Sequence, residues 1–469
     1  MRLGSLIPVH QFAAFRRVHF SPWRPTTALL RTVIRCRMEI LEESEGTPRY
    51  PTSVHIAIFE PNPTGHHYTY VKRLLPAVVG LAERVTFVTS REGVASQEYQ
   101  AQIKSLEHLC AIDSSISLNR SGPGKLRGMA TDLRRTATDL SADHVLVPYA
   151  DRTIQMVGLR HIAGRFSLPP GVELEGLMMR GSFVYSRPTL PEAVRARAWL
   201  TLTAAAPFNI VHHTDPIVVR ALEHRAPGLW RRTRLIPDPV ERFDPPARIE
   251  ARRSLGIRED GRYIGCVGYM GRRKGIDRLI RSFLAARLDN TDRLLLAGPQ
   301  APSIRDLLAD EAADAVREGR IVTLEGYISD EQFRLSIAAM DVVCTPYPPD
   351  AGHSGSSSVA IHAAGQERPL LGSVFGWIGD TIQRFGLGRV CDVTDMVAFA
   401  GAISASLDAS NDYRITEGGR RFAEFHRPEN FAAYFTLRLR ERLALAAPTG
   451  LRTWEWVMEA CTEPAQSTR

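Results

Sequence analysis

Short apolar runs alternate with amphipathic segments along most of the chain. The first run, Val54–Phe59, predicts a buried strand, and the Pro/Gly/Asn cluster at 61–65 predicts the turn that follows it. From Tyr68 onward, apolar residues recur at spacings of three and four, which predicts a helix of about fifteen residues. The run Arg84–Thr89 predicts the next strand, so this segment is a βαβ unit and its sheet should be parallel. Two later strands are predicted for the same layer, at His144–Tyr149 and Ile210–His213.

A proline-rich segment separates this array from a second one. Ile236–Pro246 contains four prolines in eleven residues, and neither a helix nor a central strand continues through such a segment. Beyond it, strands are predicted at Tyr263–Gly268, Arg293–Gly298, Ile321–Gly326, Asp341–Pro346, Pro369–Ser373 and Gly388–Asp392. The helices predicted between and after them are Ile276–Ala286, Asp330–Met340, Ser356–Ala364, Ile378–Phe385 and Glu429–Leu445. We therefore predict an α/β protein with two doubly wound parallel sheets facing each other across a cleft, where ligands bind outside the carboxyl ends of the strands.

The composition is that of a folded protein without a general affinity for nucleic acid. The chain has 469 residues, of which 44% are hydrophobic and 23% charged. Its net charge is +8, but residues 1–38 hold seven arginines and no acidic residue, which leaves 52 basic and 51 acidic residues elsewhere. Because the rest of the chain is nearly neutral, a nucleic-acid partner is not supported. Six scattered cysteines without a C-x-x-C pair indicate buried thiols in a reducing compartment rather than disulfides or a zinc site.

The arginine-rich N-terminal segment has three readings. Its composition is that of a transit peptide, but a disordered basic tail and a start at Met38 are simpler explanations. No run approaches the ~18 consecutive apolar residues that cross a membrane. We therefore expect a cytoplasmic protein. Peripheral contact with the inner face of a membrane is compatible with the sequence, because a basic segment is attracted to anionic lipid.

Signatures of several other enzyme classes are absent from the sequence. There is no P-loop pattern G-x-x-x-x-G-K-[ST], no H-E-x-x-H and no G-x-S-x-G, and Gly265, Gly268 and Gly271 are not spaced as in a dinucleotide-binding turn. The paired aspartates D-x-D, by which many metal-dependent sugar transferases hold a nucleotide diphosphate, are also missing. We expect neither a metal nor a cofactor.

The most informative segment is Gly268–Gly275, with the sequence GYMGRRKG. It joins a predicted strand to a predicted amphipathic helix, so the free N–H groups of the helix N-terminus should point to the cleft. Arg272, Arg273 and Lys274 at this place would form an anion site that needs no metal. A solvated basic turn is the alternative, but the position after a buried strand favours phosphate binding.

From about Arg234 to Leu443, the order of many weak motifs resembles the C-terminal domain of GT-B glycosyltransferases of family 4 (glycosyl transferases group 1). These motifs include GYMGRRKG, LLLAGP, VTLEGYISD, DVVCTPY, AAGQERPLLGS and FGWIGD. The resemblance implies two Rossmann-like domains, metal-independent transfer with retention of configuration, and a donor diphosphate held by Lys274 with Arg272 or Arg273. The arginine that usually follows the first glycine is Tyr269 here. The implied division is an N-terminal extension at 1–50, an acceptor-side domain at 51–237, a nucleotide-sugar domain at 238–428, and a helix that crosses back with a tail at 429–469.

One departure concerns two glutamates that the family commonly carries eight residues apart, at the donor sugar and at the ribose. In register from Gly365 these positions are Gly352 and Ala360. The predicted substrate-binding residues of this segment are His353, Ser354, Gly355, Ser356 and Ser357. Their hydroxyl and N–H groups open a helix and would meet a phosphate or a sugar, with a serine-rich helix cap as the alternative. Asp380 stands where the family often has an acid after a glycine-rich turn, and a helix N-cap is its alternative.

The first half contributes fewer candidates. Gly65, His66, His67 and Tyr68 follow the first strand, where family members carry a glycine loop facing the donor. Adjacent histidines on a helix do not face one ligand, which disfavours a metal pair, so we predict Gly65 at the substrate and His66 as a catalytic group. Asp151 follows a predicted strand at its carboxyl end and is the second catalytic candidate, reaching an acceptor hydroxyl, with a turn residue as the alternative.

These features predict a glycosyltransferase that moves a sugar from a nucleotide-sugar donor to a hydroxyl of a glycan, a lipid-linked acceptor or a small molecule, as in polysaccharide or glycolipid synthesis. Because the glutamate pair is missing, a non-catalytic relative that binds a nucleotide or a glycan is the alternative. A sugar-nucleotide epimerase shares the two-domain plan, but the acids and the histidine that it needs are not found in the sequence.

Overall fold

A computed structural model describes residues 54–64, 67–118, 123–185, 189–349 and 355–461. All of them belong to one compact unit, Pro51–Arg469. The segment predicted as an N-terminal extension at 1–50 lies outside the described residues. Within the part that is described, no helix is both long and apolar enough to span a bilayer.

Seven strands form the first sheet, in the order β3-β2-β1-β4-β5-β6-β7, and every neighbouring pair is parallel. The strands are β1 His55–Phe59, β2 Arg84–Ser90, β3 Ala111–Ile116, β4 His144–Val147, β5 Glu173–Met178, β6 Ile210–His213 and β7 Thr233–Leu235. The helices of this part are α1 His67–Val79, α2 Arg91–Val94, α3 Gln97–Gln102, α4 Pro123–Asp139, α5 Asp151–Ile162, α6 Ser182–Tyr185, α7 Leu190–Ala205, α8 Pro216–Arg225 and α9 Pro227–Trp230, with a 3-10 helix at Lys104–Leu109. Because the chain proceeds outward from β1 in both directions, the sheet is doubly wound, as predicted.

Six parallel strands form the second sheet, in the order β10-β9-β8-β11-β12-β13. The strands are β8 Tyr263–Val267, β9 Arg293–Gly298, β10 Ile321–Glu325, β11 Val342–Thr345, β12 Leu370–Ser373 and β13 Gly388–Cys391. The helices are α10 Arg248–Ser254, α11 Ile276–Ala285, α12 Pro302–Ala309, α13 Ala313–Arg317, α14 Asp330–Ala339, α15 Ser358–Gly365, α16 Gly376–Phe385, α17 Met396–Asp408, α18 Glu417–Phe425, α19 Pro428–Arg442 and α20 Trp454–Glu459. The α/β fold class predicted from the alternating pattern is confirmed.

Three strands of the first sheet, β3, β5 and β7, are absent from the sequence prediction. The sequence of β5, ELEGLM, contains two glutamates and does not read as a buried run, yet Glu175 is fully buried. His144 on β4 and His212 on β6 each place a ring nitrogen 2.8 Å from its carboxylate. Although burial alone would raise the pKa of Glu175, these two partners lower it to about 2.

Helix α19 follows the second sheet in the chain but packs against the first. Phe431 and Phe435 are fully buried in the same apolar cluster as Ile56 and Ile58 of β1. Arg438, farther along the helix, pairs with Glu173 of β5 at 2.9 Å. The last long helix therefore completes the core of the first sheet.

Candidate functional site

A cavity of about 310 Å³ lies between α1 of the first sheet and α14 and α15 of the second, with the connection 238–241 on its wall. The polar residues that line it are Thr69, Tyr70, Arg73, Asp238, Glu241, Lys274, Asp330, Arg334, Tyr347, Ser356, Ser357, Ser358 and His362. α1 follows β1, α14 follows β10 and α15 follows β11, so the cavity opens where these strands have their carboxyl ends.

The segment Gly268–Gly275 delivers Lys274 to this cavity. β8 ends at Val267, and the triplet forms a short 3-10 turn, Arg272–Lys274, before α11 begins at Ile276. Gly275 joins the two helices with a φ of 72°, and a Cβ at this position would lie 2.0 Å from the carbonyl oxygen of Pro346. Only glycine fits this turn, which fixes the direction in which Lys274 leaves the backbone.

Lys274 differs from its two basic neighbours. Arg272 and Arg273 are exposed and do not line the cavity, whereas the Lys274 ammonium lies 6.0 Å from the ring centroid of Tyr347. No carboxylate among the described residues pairs with it, and burial lowers the pKa of Lys274. An unpaired, partly buried cation is costly unless an anion arrives to pair with it.

The N-terminus of α15 faces the same cavity through three serines. Ser357 is the N-cap residue, but its side chain does not cap the helix. Instead its Oγ lies 3.2 Å from the Tyr347 hydroxyl. The first N–H groups of α15 are therefore without a side-chain acceptor from the cap, and they add partial positive charge on the side of the cavity that holds Lys274.

Asp238 connects the two halves of the site. The Tyr70 hydroxyl of α1 donates to Asp238 Oδ1 at 2.7 Å, and the Ser356 hydroxyl donates to Asp238 Oδ2 at 2.7 Å. Ser356 also lies 3.1 Å from the Thr214 hydroxyl, at the end of β6. Asp238 is not predicted from the sequence, because a proline-rich connection gives no signal for a binding residue.

Of the two positions that the register from Gly365 assigns to the family's glutamates, position 360 lies on α15. Ala360 is fully buried and does not line the cavity, whereas Ser358 and His362, one helical turn apart, do. The ring of His362 lies 5.1 Å from that of Phe333 on α14. Position 352 falls outside the described residues.

Asp380 is not a helix N-cap. It lies inside α16, whose N-cap is Phe375, and it forms a two-point ion pair with Arg384 of the same helix at 2.6 and 3.0 Å. The alternative reading of Asp380 as a cap is therefore wrong. Its predicted contact with the substrate stays a prediction.

Asp151 begins α5 directly after β4 and is almost completely buried. Its Oδ1 accepts the backbone N–H groups of Met179 and Arg180 at 2.9 and 3.0 Å. Burial raises the pKa of Asp151, because only part of the lost hydration is replaced by these bonds. Since Met179 lines the cavity, Asp151 fixes a loop of the cavity wall. Its Oδ2 has no hydrogen-bond partner among the described residues and lies 3.9 Å from the Arg180 guanidinium. The contact of Asp151 with an acceptor hydroxyl stays a prediction.

Four of the predicted site residues, Gly65, His66, His353 and Ser354, lie outside the described residues. The neighbouring His67 is described. Its ring packs against Tyr149 with centroids 3.9 Å apart and the ring planes tilted by 32°, and its Nδ1 lies 2.9 Å from the buried Glu60 carboxylate. His67 therefore already has two side-chain partners, Glu60 and Tyr149, near the end of β1.

Solved structures share this arrangement of two sheets. Sucrose-phosphate synthase from Thermosynechococcus elongatus has a TM-score of 0.63 at 19% identity, with 83% of this chain and 99% of that chain covered. WaaG, a glycosyltransferase involved in lipopolysaccharide biosynthesis, has a TM-score of 0.57 at 15% identity, covering 81% of this chain and 100% of its own. Anabaena HepE in complex with UDP has a TM-score of 0.55 at 14% identity, with 84% and 100% covered. The fold is the GT-B fold, and the predicted resemblance to GT-B glycosyltransferases is confirmed at the level of the fold.

Neither a protein-family model nor a curated protein matches the sequence of this chain. The likeness therefore lies in the three-dimensional architecture, and the function has to be argued from the site.

Proposed function

We propose that the protein transfers a sugar from a nucleotide-diphosphate sugar to an acceptor hydroxyl, with retention of configuration and without a metal ion. The observation that carries this proposal is the ammonium of Lys274. It lines the cavity between α1, α14 and α15, together with the N-terminus of α15, and pairs with no carboxylate among the described residues. Support comes from the structures that share the fold, since HepE has been crystallised with UDP and with UDP-glucose.

The chemistry follows from where charge develops. When the bond between the sugar and the diphosphate breaks, negative charge grows on the departing phosphate oxygens. Lys274 and the N–H groups of α15 are already oriented toward the cavity, so they stabilise that charge without a costly rearrangement and take the role that a divalent metal has in other transferases. When the cavity is closed, its low dielectric strengthens the attraction between these groups and the phosphate. Closure also excludes the water that would hydrolyse the donor.

The acceptor binds, in this proposal, on the side of the first sheet, where Asp151 fixes the loop that bears Met179. A glycan or a lipid-linked acceptor in polysaccharide or glycolipid synthesis fits the proposal, with WaaG as a relative in fold whose role is in lipopolysaccharide biosynthesis. A cytoplasmic location with peripheral membrane contact remains part of the same proposal.

Nucleotide binding tests the proposal without knowledge of the acceptor. UDP, GDP and their sugar conjugates are titrated against the protein by calorimetry and by thermal shift, because a ligand that binds only the folded state raises the melting temperature. Lys274→Met keeps the apolar stem and removes the charge, so we expect nucleotide affinity to fall by about tenfold to a hundredfold. Lys104→Ala, which removes an exposed lysine from the 3-10 helix of the first half, is the control and should bind as the wild type does.

Turnover separates the two functions that the sequence left open. Release of UDP or GDP from the matching donor, unaffected by EDTA, is expected of the transferase. A wild-type protein that binds a nucleotide diphosphate and turns over no donor would be the non-catalytic binder instead. The proposal fails altogether if no nucleotide diphosphate binds, or if Lys274→Met binds with wild-type affinity.

A further inference from the structure

Three arginines and one carboxylate meet at the amino ends of strands in the second sheet. Asp341 directly precedes β11, and its Oδ2 accepts the backbone N–H of Tyr263, the first residue of β8, at 2.7 Å. Arg252 and Arg248 of α10 lie 2.7 and 3.1 Å from the two oxygens of this carboxylate. Arg368 precedes β12 by two residues, and the charges of these three side chains act on it. The arginine cluster, which consists of Arg248, Arg252 and Arg368, therefore lies at the opposite edge of the sheet from the carboxyl ends that border the cavity.

Within the arginine cluster, Arg252 is used for the fold. Its Nε donates to the carbonyl oxygen of Ala339 at 3.0 Å, and one terminal nitrogen donates to the carbonyl oxygens of Glu259 and Gly261 at 2.8 and 2.9 Å. The other terminal nitrogen donates to Asp341. Arg252 is also buried, with 4% of its surface exposed. Every nitrogen of this guanidinium therefore has a partner, and Arg252 contributes to a ligand only through its charge.

Arg248 and Arg368 have far fewer partners. Among the described residues Arg248 pairs with Asp341 alone, and its Nε is buried without a hydrogen-bond partner. Arg368 is half-buried and forms neither a hydrogen bond nor an ion pair with any residue that the structure describes. Its neighbour Glu367 is exposed and lies 3.7 Å from Arg420. Burial and the like charge of Arg248 lower the pKa of Arg368 to about 10. An arginine in this position destabilises the fold unless an anion pairs with it.

We infer that Arg368 and Arg248 bind the phosphate group of a small ligand, either inorganic phosphate or a phosphate monoester. Three guanidinium groups and the single carboxylate of Asp341 leave two positive charges, and a phosphate group above about pH 7 carries close to two negative charges. Guanidinium groups also form two parallel hydrogen bonds with a phosphate, a geometry that chloride does not offer. The side chain of Arg248 is 30% exposed, so a ligand reaches the site from solvent. Because the arginine cluster lies at the other edge of the sheet from the cavity of Lys274, this ligand binds in addition to a nucleotide, and the inference does not rest on the proposed function.

Phosphate binding is measured on the full chain with Lys274→Met, so that phosphate held by Lys274 does not contribute. Inorganic phosphate and glycerol 3-phosphate are titrated by calorimetry, at an ionic strength kept constant with sodium chloride. We expect saturable binding of one ligand per chain, and adding Arg368→Gln should lower the affinity about tenfold or more. Without phosphate the double variant should melt at the same or a higher temperature than Lys274→Met, because an unpaired cation has been removed. With phosphate, only the chain that retains Arg368 should gain in melting temperature.

Arg389→Gln, also combined with Lys274→Met, is the matched control. Arg389 is exposed and is the second residue of β13, so this change removes the same charge at the same edge of the sheet. It should leave phosphate binding unchanged. Tighter binding of inorganic phosphate assigns the site to the free ion, and tighter binding of glycerol 3-phosphate assigns it to an ester; either result supports the inference.

Three results would overturn the inference. Lys274→Met binds neither ligand, or Arg368→Gln leaves the affinity unchanged, or Arg389→Gln weakens binding as much as Arg368→Gln does. A melting temperature that Arg368→Gln lowers equally with and without phosphate would also overturn it, because that is the result of a merely structural role. All of these measurements are made without Lys274, so the proposed function is tested separately.

Discussion

His426 should make the protein less stable as the pH falls below neutrality. Its imidazole is buried, and its Nδ1 accepts the backbone N–H of Asp238 at 2.9 Å. Protonation of Nδ1 would remove this acceptor and place a charge on a buried ring. Burial accordingly lowers the pKa of His426 from 6.5 to about 3.

The size of the effect follows from the difference between the folded and unfolded pKa. Above pH 6.5 the imidazole is neutral in both states and contributes nothing to the pH dependence. As the pH falls from 6.5 toward 3, only the unfolded chain takes up the proton, so the free energy of unfolding decreases by about 1.36 kcal/mol per pH unit. Between pH 6.5 and 5.0 His426 alone should therefore lower stability by about 2 kcal/mol.

His426→Asn removes the titration while its side-chain oxygen can still accept the N–H of Asp238. The lost ring contacts with Phe422, 4.7 Å away, and with Phe425 lower stability by a similar amount at every pH, on the order of 2 kcal/mol. Urea unfolding followed by tryptophan fluorescence reports on this region, because Trp454 packs against Phe425 at 5.3 Å. The gap between wild type and variant should narrow by about 2 kcal/mol from pH 6.5 to 5.0. Parallel curves would show that the buried imidazole titrates normally and would refute the reasoning.

Three further substitutions have definite expected outcomes. Ser329→Ala removes the cap of α14, whose hydroxyl accepts the N–H of Gln332 at 3.1 Å, and should cost about 1 kcal/mol in urea unfolding; no measurable change would contradict this. Arg252→Leu removes the guanidinium that lies 2.7 Å from the buried carboxylate of Asp341 and leaves Arg248, at 3.1 Å, as the remaining cation within ion-pair distance. It should cost about 3 kcal/mol or more, whereas a loss below about 1 kcal/mol would mean that Arg248 suffices. Gly275→Ala should weaken nucleotide binding along with stability, because the Cβ displaces the turn that presents the neighbouring lysine; retained affinity for UDP and GDP would argue against that role.

Much of the second sheet could be predicted from the sequence because its strands are continuous apolar runs. Arg293–Gly298 is predicted and observed with the same bounds. The limits lie where burial depends on partners that are distant in the chain. The burial of Glu175 in β5 is stabilised by two histidines of the flanking strands, which pair with its carboxylate. No local sequence pattern predicts such pairs between distant residues.

The same contrast holds for the site. Lys274 could be found from sequence, since a basic triplet between a buried strand and an amphipathic helix is a local signal. Asp238 could not, because its partners Tyr70 and Ser356 are 168 and 118 residues away along the chain. The exposure of Arg273, although it adjoins Lys274, depends on a single turn whose direction is set by glycine geometry.

The position of α19 has a consequence for biosynthesis. Phe431, Phe435 and Leu439 belong to the innermost side chains of the first sheet, yet they are translated after the whole second sheet. During translation, the first sheet and its helices therefore lack α19, and the apolar side chains that α19 covers stay exposed to solvent. Newly made chains should depend on chaperones until α19 has been translated, and a premature stop before α19 would leave the core of the first sheet incomplete.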